Sequence, residues 1–200
     1  MALAGQWTSP YLWAFALGTF LMGGYALLGV LDPELASERF RPPEQGADAK
    51  ALVWIRLSPV AALLLAPLDA GRLHWSPPVP PAIQIAALAG FFAGFWFTLH
   101  AMSANKFFSS VIRIQSERGH HVVDSGPYRV IRHPGYLGML LTMTMLPLAL
   151  GSWWALVPAA IYDALILRRI RQEDQFLQDR LPGYSAYAAR VTHRIVPGIW

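Results

Sequence analysis

Long uncharged runs dominate the first half of the chain. Residues Tyr11 to Leu31 contain no charged side chain, and further apolar runs extend from Ala51 to Leu68 and from Ala82 to Ala104. A helix needs about 20 apolar residues to cross the ~30 Å hydrocarbon layer of a bilayer. The pattern therefore predicts three spanning helices. The first run has no basic residue before it and no small-residue cleavage site after it, so we interpret it as a spanning helix rather than a signal peptide.

A fourth apolar region, from Tyr136 to Tyr162, is long for one crossing and short for two. The basic residues before it are Lys106, Arg113, Arg118, Arg129 and Arg132, and those after it are Arg168, Arg169, Arg171, Arg180, Arg190 and Arg194. Segments rich in Arg and Lys stay on the cytoplasmic side, so the chain crosses an even number of times between these flanks. We therefore predict a hairpin of two short helices that turns at Gly151 and Ser152.

These runs predict an all-α integral membrane protein with five transmembrane helices, of which the fourth and fifth form the hairpin. The N-terminus and Arg72 are expected outside, and the loop with Arg39, Arg41 and Lys50 inside. Arg56, near the start of the second run, is expected to extend its side chain to the interface. We divide the single structural domain into residues 1–104, with the first three helices, and 105–200, with the chemistry.

Composition supports the membrane class. Hydrophobic residues make up 54% of the 200 positions and charged residues only 14%, and cysteine is absent. These figures exclude intrinsic disorder, a disulfide scaffold and cysteine-based metal sites. No HExxH pattern occurs, so no metal site is predicted, and no nucleic-acid partner is expected. The chain has far more Arg than Lys, which is typical of a GC-rich bacterial genome, so we expect a multi-pass protein of a bacterial inner membrane.

Two polar segments carry most of the candidate chemistry, and both are expected at the cytoplasmic face. The first, residues 115–136, reads QSERGHHVVDSGPYRVIRHPGY, and the second, residues 168–200, begins RRIRQED. From spacing alone, the histidines are compatible with a surface loop and a pre-proline turn. Arg169 and Glu173 lie four apart, as in an exposed helical ion pair. Ser125 lacks the GxSxG pattern of a hydrolase nucleophile.

The run GHHVVDSGPYRVIRHPGYLG, followed by RRIRQEDQFL, PGYSAY and RVTHRIVPGIW, resembles the isoprenylcysteine carboxyl methyltransferase family, over Asn105 to Trp200. The resemblance implies a cytoplasmic site for S-adenosyl-L-methionine, with Arg169 associated with the substrate. The residues implied for cofactor binding are Gln115, His120, His121, Val122, Val123, Tyr128, His133, Pro134, Gly135, Tyr136 and Glu173. The acidic pair departs from the family pattern, because the shorter carboxylate, Asp174, stands second.

We therefore expect a methyltransferase that takes a lipophilic or lipidated acceptor, similar to an isoprenylcysteine carboxylate, from the bilayer. Alternative acceptors are a phospholipid amine or a small thiol. A membrane reductase that uses a nicotinamide cofactor is a rival, because such enzymes share the RHPxY motif, and a non-catalytic scaffold is another. Gly90 and Gly94 form a small-xxx-small pair that serves either packing within one bundle or oligomerisation, so the oligomeric state stays open.

Overall fold

The computed structural model describes residues 9–30 and 49–200. Within these ranges every long regular element is helical, which confirms the all-α class for this part of the chain. The helices are α1 (Pro10–Tyr25), α2 (Ala49–Leu68), α3 (Pro81–Ala104), α4 (Pro134–Ala149), α5 (Leu156–Arg180) and α6 (Tyr184–Arg190). Two short 3-10 turns, Ser116–Arg118 and Gly126–Arg129, interrupt the long loop between α3 and α4.

Three helical segments have the length and hydropathy to cross a membrane: Pro10–Val30, Ala51–Leu73 and Pro81–Ala104. They correspond to the three apolar runs predicted first, and π-helical turns extend two of them to Val30 and Leu73. Helix α4 is shorter, with 16 residues, and α5 becomes polar from Arg168 onward. The five-span count therefore stays a prediction, as does the division at residue 104. Leu31, Arg39 and Arg41 lie outside the described residues.

Helices α3 and α4 pack most closely together, and glycines at their crossing allow the two backbones to approach. A Cβ atom added to Gly138 would lie 2.4 Å from Thr98 Oγ1, and one added to Gly94 would lie 2.8 Å from the Gly138 carbonyl oxygen. Thr98 Oγ1 donates to the Gly94 carbonyl at 3.0 Å, so its polar group is satisfied at the crossing. A Cβ on Gly90 would meet the side chain of Met145. Both glycines of the small-xxx-small pair therefore pack against α4 within one bundle.

Asp69, at the end of α2, ties two loops together at one end of the bundle. Ser152 Oγ donates to Asp69 Oδ2 at 2.6 Å, and Ser76 donates to the same carboxylate from its backbone N–H at 2.8 Å and its Oγ at 2.6 Å. Gly151 has φ +83°, which favours glycine. The break between α4 and α5 thus falls at the two residues where the sequence predicted a turn, on the same side of the bundle as the end of α2.

The opposite end carries the polar segments. There the C-terminal segment runs along the start of α4: Arg132 N–H donates to the His193 carbonyl at 3.0 Å, and His133 N–H donates to the Arg194 carbonyl at 2.8 Å. Beneath them, the fully buried Ile166 of α5 belongs to the main hydrophobic core. The loop after α3, the start of α4, the second half of α5 and the C-terminal segment are thereby held around one place.

Candidate functional site

A polar pocket lies where α3 ends and α4 begins. Its walls come from the loop at residues 105–128, the segment 132–136, the second half of α5 and helix α6. The interior of the pocket has a volume of about 60 Å³, whereas the whole cleft, including the part open to solvent, has a volume of about 720 Å³. The pocket is therefore a narrow cleft that opens to the outside.

Most of the residues that the sequence predicted for a cofactor site share this pocket. Those in its wall are His120, His121, Val122, Val123, Tyr128, His133, Tyr136 and Glu173. Other wall residues were not assigned in advance, among them Asn105, Phe107, Arg132, Tyr184 and Tyr187. The two tyrosines belong to the PGYSAY motif, which gave the only sequence signal for them. The roles of the individual residues stay predictions, although the arrangement brings them together.

Gln115 lies behind the wall rather than in it. Its side chain is fully buried; Nε2 donates to the Phe107 carbonyl at 2.7 Å, and Oε1 accepts from Arg118 Nη1 at 3.0 Å. Its backbone N–H donates to His120 Nδ1 at 3.3 Å. The Phe107 ring in turn stacks on His120, with 4.5 Å between ring centroids. Gln115 therefore holds the loop that presents Phe107 and His120 to the pocket.

The His120 imidazole and the Tyr128 phenol of this loop are neutral near pH 7. Burial of His120, together with the positive potential of His121 and Arg113, lowers the pKa of His120 to about 4. Burial raises the pKa of the Tyr128 phenol above its usual value. Neutral imidazole and phenol groups offer hydrogen bonds without adding charge. The part of the wall formed by His120 and Tyr128 is thus suited to an uncharged heterocycle such as a purine base.

Glu173 and Arg169 are connected through Tyr136. The Tyr136 hydroxyl donates to Glu173 Oε2 at 2.5 Å and accepts from Arg169 Nε at 2.8 Å, while Arg169 Nε and Glu173 Oε2 are 4.0 Å apart. Arg169 Nη2 also donates to the Ser110 carbonyl at 2.9 Å. Among the described residues that line the pocket, Glu173 is the single carboxylate. The helical pair expected from the sequence is therefore buried in part and bridged by a phenol.

Asp174, next to Glu173, faces away from the pocket into a buried polar cluster that sequence reasoning missed. Its carboxylate accepts two hydrogen bonds from Arg132, and further ones from His133 Nε2 at 3.2 Å, the Tyr184 hydroxyl at 3.0 Å and Arg194 Nε at 2.9 Å. Burial opposes its negative charge, but the bonds from His133, Arg132 and Arg194 outweigh that effect and hold the pKa of Asp174 well below its usual range. Asp174 thus fixes residues that line the pocket.

Arg169 lines a second, smaller cavity beside the first. This cavity encloses about 180 Å³ between α2, α4 and α5. Phe108, Ser109 and Tyr136 line both spaces and therefore form the partition. The remaining side chains in its wall are mainly apolar.

Pro134 and Gly135 line neither space. Both are buried in the first turn of α4, and a Cβ atom on Gly135 would lie 2.4 Å from the Phe108 ring. The absent side chain at Gly135 allows the partition to close against α4.

Apolar helices long enough to cross a membrane, with a polar pocket at one end of the bundle and a smaller cavity beside it, are typical of a helical membrane protein. Residues 86–179 match the model of the isoprenylcysteine carboxyl methyltransferase (ICMT) family. This match covers slightly less than half of the chain and supports the resemblance carried by the motifs. The segment includes the loop, α4 and all of α5 except its last residue, but not α1, α2 or α6.

Individual relatives match similar portions. A protein named "Probable protein-S-isoprenylcysteine O-methyltransferase" from Oryza sativa is 44% identical over 100 residues, which cover 46% of this chain and 50% of the relative. The cobalt-zinc-cadmium resistance protein CzcN of Cupriavidus metallidurans is 37% identical over 82 residues, 38% of this chain and 36% of its own. YpbQ of Bacillus subtilis, an uncharacterized protein, is 34% identical over 62 residues, which cover 30% of this chain and 37% of the relative. The chain thus matches half or less of each relative's length.

Proposed function

We propose that the protein transfers a methyl group from S-adenosyl-L-methionine to a lipophilic acceptor. The observation that carries this proposal is the partition: a polar pocket with one carboxylate, Glu173, adjoins an apolar cavity that holds Arg169, and Tyr136 and Phe108 separate them. A water-soluble methyl donor and a lipid-soluble acceptor need two such spaces side by side. The match to the family model and the name of the rice relative support the same reaction class.

The polar pocket fits the chemistry of this cofactor. Its amino acid end carries an ammonium group, for which Glu173 is a charge-assisted acceptor. Its adenine needs neutral hydrogen-bonding groups and an aromatic surface, and His120, Tyr128 and Phe107 offer these. The bound group would supply an activated methyl group, and Tyr136 in the partition would stand between it and the neighbouring cavity.

Binding requires the pocket to widen. Small-molecule sites usually enclose about 300–1,000 Å³, whereas the enclosed space here is about 60 Å³. The wall that we expect to move is the loop that carries Phe107, His120 and His121, of which His121 is exposed to solvent. We expect this loop to move outward when the cofactor enters and to close over it afterwards.

The transfer is an in-line displacement. When bound, the cofactor would supply a methyl group on a sulfonium; transfer to an acceptor carboxylate oxygen would form the oxygen–carbon bond, break the carbon–sulfur bond and leave its electron pair on sulfur as a neutral thioether. Opposite charges are neutralised, and a dry cavity favours such a step. A carboxylate acceptor needs no general base, and the positive charge of Arg169 in the cavity wall would attract and orient it. An amine or neutral thiol acceptor would need a proton acceptor, for which His133 and Glu173 are the candidates.

We place the site at the cytoplasmic face of a multi-pass membrane protein, as the basic flanks of α4 and α5 predict. The cofactor then enters from water, and the acceptor enters from the bilayer between the helices. In a bacterial inner membrane, a small lipophilic carboxylate would fit the same two adjoining spaces as a lipidated protein.

The decisive experiment is calorimetric titration of the purified protein in lipid nanodiscs with S-adenosylhomocysteine and, separately, with NADPH. We expect saturable binding of the first and none of the second. Binding of NADPH alone would favour the reductase, and binding of neither would favour a non-catalytic protein. A radiolabelled methyl donor offered with a farnesylated thioether carboxylate, phosphatidylethanolamine or an alkyl thiol then distinguishes the three acceptor classes.

A further inference from the structure

A wide cleft lies at the end of the bundle opposite the polar pocket. It is bounded by the start of α1, the end of α2, the proline-rich linker before α3 and the turn between α4 and α5, and its volume is about 750 Å³. Small-molecule sites usually enclose about 300–1,000 Å³. The cleft shares no wall residue with the pocket or the cavity described above, so the proposed methyl transfer does not use it.

The walls of this cleft are held in place by the buried Asp69 carboxylate and by prolines. Asp69 accepts hydrogen bonds from Ser76 in the linker and from Ser152 at the turn between α4 and α5. Pro77 and Pro78 line the cleft, and their rings fix their φ angles. A site whose walls already stand in place loses little conformational freedom when a ligand binds.

His74 lines the cleft in a backbone conformation that few residues adopt. Its φ is +51°, and no other non-glycine residue in the described ranges has a positive φ. The backbone N–H of His74 donates to the Asp69 carbonyl at 2.7 Å, which holds the turn. Uncommon backbone conformations of this kind cluster at binding and catalytic sites, where the surrounding structure maintains them. The turn keeps the exposed His74 in the wall of the cleft.

Four side chains of the wall have hydrogen-bonding groups that form no bond to any other described residue. They are the Gln84 amide, the His74 imidazole, the Tyr11 hydroxyl and the Trp75 indole N–H. The Gln84 amide lies over Gly151, where an added Cβ atom would be 2.4 Å from Nε2. The missing side chain at Gly151 therefore leaves room for this amide. A ligand in the cleft meets several hydrogen-bonding groups that the fold itself does not use.

We propose that this cleft binds an uncharged, hydroxyl-rich group such as a sugar ring, either as a free sugar or as the head group of a glycolipid. Among the described wall residues none is Asp, Glu, Lys or Arg, so an ionic group finds no counter-charge there. A hydroxyl both donates and accepts hydrogen bonds, as do the groups of a glutamine and a tyrosine. The rings of Tyr11 and Trp75 offer apolar surface to the C–H face of a sugar.

The position of the cleft suits both sources of the sugar. Helices α1, α2 and α3 are long and apolar enough to cross a membrane, and the cleft lies where α1 and α3 begin and α2 ends. This level corresponds to the head-group layer of a bilayer, which both a lipid head group and a soluble sugar can reach. The site is independent of the proposed methyl transfer, because the cofactor pocket lies at the other end of the bundle.

The test offers the two sources of the same sugar separately. Methyl glucoside is titrated calorimetrically into the protein in phosphatidylcholine nanodiscs. Monoglucosyl diacylglycerol is compared with phosphatidylcholine by native mass spectrometry of the lipids that the protein retains. Saturable binding of methyl glucoside identifies a sugar site open to free sugar, and selective retention of the glucosyl lipid alone identifies a glycolipid site. Binding of neither, or equal retention of both lipids, would overturn the proposal.

Gln84→Leu tests the wall, because it keeps a side chain of similar size and removes the amide. The dissociation constant of the sugar source that binds should rise about fivefold, the scale of one hydrogen bond. Gln172→Leu is the matched control, since Gln172 is exposed on α5 and lines none of the three spaces. It should leave sugar binding unchanged. Parental binding in Gln84→Leu, or an equal loss in Gln172→Leu, would refute the assignment of the site.

His74→Gly tests the second polar group without straining the fold. Glycine adopts a left-handed backbone freely, so the midpoint of thermal unfolding should not fall. Sugar binding should weaken about threefold or more, again the scale of a lost hydrogen bond. The affinity for S-adenosylhomocysteine should stay parental in all these variants. A folded His74→Gly protein with parental sugar binding would contradict the proposed place of the sugar beside the turn.

Discussion

Arg132 forms two hydrogen bonds with the Asp174 carboxylate, from Nε to Oδ1 at 2.7 Å and from Nη2 to Oδ2 at 2.8 Å, although the two residues are 42 positions apart in the chain. Arg132 also donates from Nη1 to the Val191 carbonyl at 2.7 Å. One guanidinium thus connects the segment before α4, helix α5 and the C-terminal segment. This contact is the main polar support beneath the pocket wall.

Asp174→Asn should strongly destabilise the protein. The change leaves the buried Arg132 guanidinium without a counter-charge, and breaking such a pair from one side typically costs about 3–5 kcal/mol. The midpoint of thermal unfolding in detergent should fall by several degrees. Glu173→Gln is the control, because the neighbouring carboxylate faces the pocket and should leave the midpoint nearly unchanged. Similar midpoints for the two variants would refute the structural role of Asp174.

The same pair gives a pH dependence of stability. Because the native pKa of Asp174 is depressed below the unfolded value of about 4, the unfolded state takes up this proton first as pH falls. The contribution of Asp174 is therefore complete above about pH 5 and declines as pH decreases through about pH 4 and below. The stability difference between the parent protein and Asp174→Asn should shrink over that acidic range. A constant difference down to low pH would contradict this linkage.

Glu173→Gln should weaken cofactor binding without unfolding the protein. The variant keeps the shape of the side chain and a hydrogen-bond acceptor for Tyr136, but it removes the charge that faces the cofactor ammonium. A loss of roughly 1–3 kcal/mol in the binding free energy of S-adenosylhomocysteine is expected, the scale of a charge-assisted hydrogen bond. Calorimetry measures it directly. Parental affinity in a folded variant would remove Glu173 from the cofactor site.

Gly135→Ala should disturb the partition. The new methyl group would lie 2.4 Å from the present position of the Phe108 ring, so that the ring must move. Because Phe108 lines both spaces, affinity for S-adenosylhomocysteine and for the lipophilic carboxylate should both fall. Gly24→Ala on α1 is the control, since no atom lies within 4 Å of its added Cβ. Parental affinity for both ligands in Gly135→Ala would show that the partition tolerates displacement of Phe108.

Local pattern and tertiary contact account for what the sequence could and could not predict. The first three helices follow from uncharged runs, which depend on neighbouring residues alone. The wall residues followed from motif resemblance, not from spacing. Asp174 was missed because its partners, Arg132 and Arg194, come from distant segments. Gln115 was predicted in the pocket wall from its place in the motif. A motif gives the residue type at a position but not the direction of its side chain, and the structure buries Gln115 behind the wall.

Topology can be tested by cysteine labelling, because the chain has no native cysteine. Ser76 and Ser152 are poor positions, since both donate to Asp69. Trp75 and Trp154 are exposed at that same end. Trp75→Cys and Trp154→Cys should react with an impermeant thiol reagent in intact cells, whereas Ser185→Cys, exposed at the other end, should react only after lysis. Labelling of position 185 in intact cells would refute five spans with a cytoplasmic site.

Arg169→Lys should separate turnover from cofactor binding. Arg169 lines the acceptor cavity and reaches the polar pocket only through Tyr136, to which its Nε donates at 2.8 Å. Lysine keeps the positive charge but loses the planar guanidinium, which bonds Tyr136 and the Ser110 carbonyl at the same time and so fixes the charge in the cavity wall. Turnover of a lipophilic carboxylate should therefore fall about tenfold or more, since misplacement of the attacking oxygen by ~1 Å is costly.

The affinity for S-adenosylhomocysteine should stay close to parental in Arg169→Lys, because Glu173 and the histidine loop are unchanged. Arg169 lies next to the partition, where it would orient the attacking oxygen, so its replacement should lower kcat. A variant of Arg169 with parental turnover, or one whose sole defect is cofactor affinity, would instead assign Arg169 to the support of Tyr136 and the cofactor pocket.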